Sequence, residues 1–218
     1  MVRLSCHNKR RTLIGIGEKM KKNILIVGPG RVGKTTLAKM LNEELKYSIV
    51  WTDEIILAFE RVYPQLEINH SNFYGKTASN FAPFIAHYLG AMSYRSTFKN
   101  GIKFVVEGAY FDFEKVMPEM ERMEFKDEFM FIGLVYNNKS IEELFSDIKK
   151  YDTEEDWTYN CSDEELKEHC KICIESSRFF FDKFKEHNFL IYDVSTEREK
   201  TLSKIVDDIK KQFCVVKA

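Results

Sequence analysis

The chain has no excess of charge of either sign: 33 lysines and arginines stand against 34 aspartates and glutamates, a net charge of −1. It therefore has no basic stripe of the kind that nucleic acid or an anionic membrane attracts, and neither is expected as a partner. Long hydrophobic runs are missing too, and no apolar stretch approaches the roughly 20 residues that cross a bilayer. Cysteine is sparse and odd in number, five in 218 residues with no framework spacing. That argues against a disulfide scaffold and for reduced thiols in a cytoplasmic protein. Internal repeats and low-complexity linkers are also lacking. What is left is one domain's length of chain, enough for a sizeable core.

Residues 1–19 stand apart. They are basic, with Arg3, Lys9, Arg10 and Arg11, and they show no clear periodicity. Arg-rich, acid-poor composition is that of a mitochondrial-type transit peptide. A second reading fits better. Ile16-Gly17-Glu18 can be encoded ATA-GGA-GAA, which contains the AGGAG of a bacterial ribosome-binding site just ahead of the Met20 codon. The Lys-, Ile-, Asn- and Phe-rich composition suits an AT-rich bacterial genome. We therefore expect a non-native or disordered extension over 1–19 and a single domain over 20–218.

The most informative segment is Gly28-Pro29-Gly30-Arg31-Val32-Gly33-Lys34-Thr35, a complete G-x-x-x-x-G-K-[ST] loop. Before it, residues 23–27 are apolar and β-branched and read as a buried strand. After it, Leu37, Met40, Leu41 and Leu45 share one helical face. Strand, glycine loop and helix form the context in which this pattern has a mechanism. Backbone N–H groups curl around a phosphate, and the helix N-terminus adds its positive end. Lys34 then reaches the β- and γ-phosphates, and the Thr35 hydroxyl ligates Mg²⁺. Residues 28–35, with Thr36 behind them, are expected to hold a nucleoside triphosphate.

Strands are predicted at 23–27, 48–52, 102–106, 129–135 and 189–192. Helices are predicted at 34–46, 54–62, 81–99, 113–123, 140–150, 163–187 and 197–213, with Gly101 as a left-handed cap after the third. Ser140 with Glu143 and Ser162 with Glu165 read as capping boxes and mark two helix starts. The alternation predicts an α/β fold of three layers: a five-stranded parallel sheet, helices on both faces and right-handed connections.

Two classes of phosphate-loop protein are disfavoured. A guanine-reading N-K-x-D is incomplete, because Asn137-Asn138-Lys139-Ser140-Ile141 lacks the aspartate. A motor-type ATPase needs an apolar run ending Asp-Glu and a further helical domain; this chain has Phe104-Val105-Val106-Glu107-Gly108 and no room for that domain. What remains resembles the small-molecule kinase branch of P-loop proteins, the nucleoside and nucleotide (adenylate kinase-like) and shikimate kinase-like enzymes. The resemblance covers most of residues 22–195. It rests on the early loop, on Asp53 at the end of the second strand, and on Glu107-Gly108 at the end of the third.

That resemblance implies ATP and Mg²⁺, an acceptor region over about residues 53–99, and a small lid over about residues 147–162. It implies catalytic roles for Lys34, Asp53 and Glu107: Asp53 orients or deprotonates an acceptor hydroxyl, and Glu107 joins Thr35 in supporting the metal or its waters. The structural alternative for Asp53 is an N-cap on a helix starting at Glu54. Arg61 and Arg95 are candidate clamps for an anionic acceptor, or else parts of solvated helix faces. Lids of this family usually carry arginines, whereas residues 149–159 have none. Lys149 and Lys150, or Arg178 from the long helix, are the candidate substitutes. Trp157 and Tyr159 suit either a hydrophobic lid or surface packing.

Cys161, His169, Cys170 and Cys173 read as half-buried thiols and a helix histidine rather than a zinc site, since 169–173 lie inside a predicted helix and no second Cys-x-x-Cys exists. Phe179, Phe180, Phe181 and Phe184 read as core. The expected base is adenine, held by the backbone of the turn Asp193-Val194-Ser195-Thr196. The expected activity is phosphoryl transfer to a small molecule, with a nucleoside or nucleotide favoured. The competing reading is a nucleotide-binding regulatory ATPase or switch without such an acceptor. The arginine-free lid favours the switch; the polar and aromatic mix of Asn69, His70, Asn72, Tyr74 and Lys76 favours an acceptor pocket.

Overall fold

The computed structural model describes residues 21–70, 75–98 and 101–214. The basic extension, Asn72 and Tyr74 lie outside the described residues. Five strands, β1 (Asn23–Val27), β2 (Ser48–Trp51), β3 (Phe104–Gly108), β4 (Phe129–Val135) and β5 (Leu190–Asp193), form one sheet in the order β2-β3-β1-β4-β5. Every pairing is parallel. All five residues of β1 are buried, as a central parallel strand requires. Strand order reverses on either side of β1, so a crevice opens at its carboxyl end, where such sheets bind ligands.

Among the described residues, seven α-helices cover the two faces: α1 (Lys34–Leu45), α2 (Thr52–Val62), α3 (Lys76–Phe98), α4 (Phe113–Arg122), α5 (Ile141–Tyr151), α6 (Asp163–Glu186) and α7 (Arg198–Cys214). Alternate side chains of β1 go to opposite layers. Leu25 and Val27 join a core with Phe81, Ile85 and Leu89 of α3 and Val116 and Met120 of α4. Ile24 and Ile26 join a second core with Leu37 and Leu41 of α1 and Leu202, Ile205 and Ile209 of α7. Helix α6 serves both layers. Cys170 and Cys173 belong to the α1/α7 side, and Phe180 and Phe184 to the other. Phe179 remains exposed, and Phe181 is half-buried against the core. The fold is the expected three-layer α/β arrangement.

Boundaries moved in three places that matter. β3 begins two residues later than predicted, which puts Glu107 inside the strand, opposite Ile26 and Trp51. α2 begins at Thr52, so its N-cap position is Trp51 and Asp53 sits in the first turn rather than capping it. α3 begins at Lys76 rather than 81. Its first turn is polar and carries no apolar period, yet Thr77 and Ala78 are buried, and the Thr77 hydroxyl donates to the Asn69 carbonyl at 2.7 Å. Gly101 is left-handed as predicted, with φ of 65°. Both capping boxes form, on Ser140 and Ser162. α5 continues to Tyr151, so the connection between α5 and α6, where the lid is expected, is residues 152–162.

Candidate active site

The loop between β1 and α1 is shaped by backbone constraints. A Cβ on Gly28 would stand 2.5 Å from the Leu134 carbonyl oxygen, so β4 closes that position to any other residue. Gly33 has φ of 97° and caps α1, a conformation that side chains rarely adopt. No side chain caps α1, and its first turn contains no acid. Its leading N–H groups and dipole are therefore left for an anion. Val32 is fully buried under the loop, and Pro29 is buried beside it. The Tyr136 hydroxyl donates to the Arg31 carbonyl at 2.6 Å, and Ser177 on α6 accepts the Tyr136 N–H, also at 2.6 Å. Cys173 of α6 lies against Gly30, and burial pushes its thiol up to about 12.

Three predicted functional side chains meet here. Lys34 is buried and donates from Nζ to the Pro29 carbonyl across the loop at 2.7 Å. The Thr35 hydroxyl donates to Glu107 Oε1 at 2.9 Å. Glu107 is 5% exposed. Burial pushes its carboxyl above the usual range; the Lys34 charge and the Thr35 hydrogen bond oppose that, while the Asp53 charge adds to it. Thr36 stands exposed in the first turn of α1. A hydroxyl and a carboxylate side by side form an oxygen-only donor pair, which fits a hard cation such as Mg²⁺.

Asp53 is exposed at the start of α2 and takes no hydrogen bond from the described residues; its charge is felt by Glu107 and by Tyr110. Glu60, two turns further along α2, also raises Tyr110, although burial is the larger cause. The segment after α2 folds back over this helix. His70 meets Glu60 through both its N–H (3.3 Å) and its Nδ1 (3.1 Å), and the Tyr110 hydroxyl donates to the His70 carbonyl at 3.0 Å. Asp53, Glu60, His70 and Tyr110 thus share one side of the cleft beside Glu107.

The remaining candidates are placed elsewhere. Arg61 is exposed in the last turn of α2, with Glu60 as the neighbour that feels its charge. Arg95 precedes Ser96, whose hydroxyl accepts from Asn23 Nδ2 at 3.0 Å. Asn23 is the first residue of β1, about 13 Å of strand away from the loop, so Arg95 stands at the wrong end of the sheet for the cleft. Lys149 pairs with Asp163 at 2.6 Å, and Lys150 lies over the Tyr151 ring. Arg178 is exposed on α6, turned about 140° around the helix from Cys173. Trp157 is exposed and meets the His169 ring edge to face.

Several groups had no motif to announce them. Arg198, the first residue of α7, lies against Gly33. Lys139 donates to the Ser195 carbonyl at 3.0 Å and pairs with Asp147 at 2.5 Å. Asp193 Oδ1 accepts the Ser195 and Asn137 N–H groups, fastening the β5–α7 turn to the end of β4. Lys139, Asp147, Ser195 and Arg198 border a cavity of about 680 Å³ between α5 and that turn, which reaches Arg31 of the loop. Its size is that of a small-molecule site. Arg31 itself pairs with Asp152 and Asp156 of the α5–α6 connection.

No protein-family model and no curated protein sequence matches the chain. Solved structures do match in fold. A gluconokinase from Sinorhizobium meliloti superposes with a TM-score of 0.56 at 10% identity, over 89% of this chain and 95% of that one. A putative kinase from Chloroflexus aurantiacus superposes with a TM-score of 0.53 at 13% identity, over 88% and 98%. The likeness is one of fold: the chain shares the three-layer α/β architecture of these two structures. Among the described residues no helix is long and apolar enough to cross a membrane.

Proposed function

We propose that the chain is an ATP-dependent phosphotransferase that moves the γ-phosphoryl group to a hydroxyl of a small molecule. The observation that carries this is the junction of Lys34, Thr35 and Glu107 at the carboxyl end of β1, with Asp53 across the cleft. The loop N–H groups and Lys34 hold the β- and γ-phosphates, and the base takes the cavity against the β5–α7 turn. Thr35 and Glu107 would hold Mg²⁺, which neutralises charge on the transferring phosphoryl group. Asp53 orients the acceptor hydroxyl and takes its proton as oxygen bonds to phosphorus and the β–γ bridge breaks, releasing ADP. The gluconokinase likeness in fold supports a hydroxylated small-molecule acceptor.

An anionic acceptor rests on Arg61 and Arg95 as clamps. Arg95 is remote from the cleft, and the described acceptor side carries Asp53, Glu60 and Tyr110. That wall favours a neutral hydroxylated acceptor, a polyol, sugar or nucleoside, over a phosphorylated one. The switch reading remains the alternative outcome. A panel of nucleosides, nucleotides, sugars, polyols and sugar acids, read as ADP release above the acceptor-free background, separates them. ADP release tied to a neutral hydroxylated acceptor supports the proposal. Equal hydrolysis with every compound, and without one, supports the switch instead.

A further inference from the structure

We propose that Arg31 is the guanidinium this chain presents to the triphosphate, and that Asp152 and Asp156 of the lid hold it away until nucleotide arrives. The inference rests on the nucleotide reading of the loop and assigns its side chain a job beyond that reading. Residues 152–162 contain four acids, Asp152, Glu154, Glu155 and Asp156, and no lysine or arginine. The two lysines just before them are engaged, Lys149 with Asp163 and Lys150 over Tyr151. The lid therefore brings negative charge to a site meant for an anion. Arg31, rooted in the loop, is the cation that offsets it, with its two guanidinium NH₂ groups shared between Asp152 Oδ1 and Asp156 Oδ1.

The pairing is built to be exchanged. Each lid carboxylate spends one oxygen on Arg31 and the other inside the lid. Asp152 Oδ2 accepts from the Thr158 hydroxyl at 2.5 Å, and Asp156 Oδ2 accepts from the Thr153 N–H and hydroxyl at 3.0 Å each. Loss of Arg31 leaves those lid turns bonded. Its own root is fixed independently, because the Tyr136 hydroxyl holds the Arg31 carbonyl. One guanidinium faces two carboxylates, so the cluster keeps an uncancelled negative charge beside the phosphate site. An arriving triphosphate repels those carboxylates and competes with them for Arg31, with the planar fork that suits phosphate oxygens. Transfer of Arg31 to the phosphates frees the lid and supplies the arginine that the lid lacks.

The opposite view is a structural pin, with Arg31 keeping the lid in place whatever is bound. The two views differ in sign. If the acids compete with nucleotide, removing their charge removes a state that binding must undo, and apparent affinity rises. If they pin a lid that nucleotide needs, affinity falls. Calorimetric titration of the full chain with Mg-ATP and with Mg-ADP decides, using wild type, Asp152→Asn with Asp156→Asn, Arg31→Ala and Arg31→Lys. The amides preserve acceptors for Thr158 and Thr153, and thermal unfolding of each variant checks that it folds.

The expected result is Mg-ATP binding roughly tenfold tighter in the double amide variant. Arg31→Ala should weaken Mg-ATP roughly tenfold and Mg-ADP by less, with Arg31→Lys between it and wild type. Weaker Mg-ATP binding in the folded double amide variant, with wild type binding normally, overturns the inference while leaving the nucleotide reading intact. Unchanged binding in that variant also overturns it. Failure of wild type to bind either nucleotide overturns both.

Discussion

The two sides of the cleft are made of different material. On the proposed nucleotide side the groups offered to a ligand are largely backbone: N–H groups of the loop and of the start of α1, which no side chain caps, shaped by Gly28 and Gly33 and backed by Tyr136 and Cys173. On the proposed acceptor side they are side chains, Asp53 and Glu60 from α2, His70 from the segment behind it, and Tyr110 from the connection after β3. A backbone site has its geometry written into glycine spacing and tolerates little change. A side-chain site can be retuned residue by residue while the sheet beneath it stays as it is.

Substitution of Lys34 and Asp53 gives the largest expected contrast. Lys34→Ala removes the charge that holds the phosphates, and it should abolish turnover while weakening Mg-ATP binding by roughly 10- to 100-fold, the worth of a charge-assisted hydrogen bond. Asp53→Asn should lower kcat by roughly 10²–10⁴-fold with Mg-ATP affinity within about twofold of wild type. Steady-state kinetics with calorimetric titration reads both. Equal loss of nucleotide affinity in the two variants would break the division between the sides.

Gly28→Ala probes the backbone side through stability. The new Cβ is driven towards the Leu134 carbonyl, and overpacking of this kind costs about 1–3 kcal/mol. At roughly 2–4 °C per kcal/mol for a chain of this size, the unfolding midpoint should drop by several degrees. A variant as stable as wild type would mean that the loop has slack which the close approach to β4 does not suggest.

Glu107→Gln separates function from stability at the point where the two sides meet. Burial raises the Glu107 carboxyl, so the folded protein holds that proton more tightly than the unfolded chain. Its ionisation therefore removes stability as pH rises from the unfolded value through the raised folded one. In nucleotide-free protein the glutamine variant should melt about 2–4 °C above wild type at pH 8, lose that advantage near pH 4, and turn over poorly at every pH. A variant less stable than wild type at pH 8 would make the ionised carboxylate a net stabilising partner of Lys34. The smallest effect belongs to Arg95→Ala, expected to stay within about 0.5 kcal/mol in stability and to leave acceptor KM unchanged. A raised KM would contradict the placement of this arginine at the far end of the sheet.

Legibility followed the same division. The loop, the strand before it and the helix after it were readable because spacing and periodicity coincide there. The capping residues of α5 and α6 were readable as Ser140 and Ser162, whose capping is local in sequence. The start of α3 was not. Its first turn is held by Thr77 bonding to the Asn69 backbone, a tertiary contact with no periodic signature. Glu107 was visible as an acid beside the loop only once β3 was placed, and a two-residue error in that strand decides whether it lies in the sheet or beyond it. Arg95 looked like an acceptor residue from its position in the chain. The direction of α3, which carries its last turn to the start of β1, could be known only from the packing. The contacts of Arg31 with Asp152 and Asp156 join residues 121 and 125 apart, a pairing no local pattern encodes.

The most direct test of the central claim, a triphosphate seated on the loop with Lys34 across it, is thermal unfolding of wild type and Lys34→Ala with Mg-ATP, Mg-GTP or neither. Stabilisation follows RT ln(1 + [L]/Kd), so nucleotide at about 100 times Kd adds on the order of 3 kcal/mol. For a chain of this length that is an upward shift of roughly 6–12 °C. We expect that shift for wild type with Mg-ATP, a smaller one with Mg-GTP, and at most about half of it for Lys34→Ala with Mg-ATP. No shift of wild type with either nucleotide, or an equal shift in Lys34→Ala, would contradict the account.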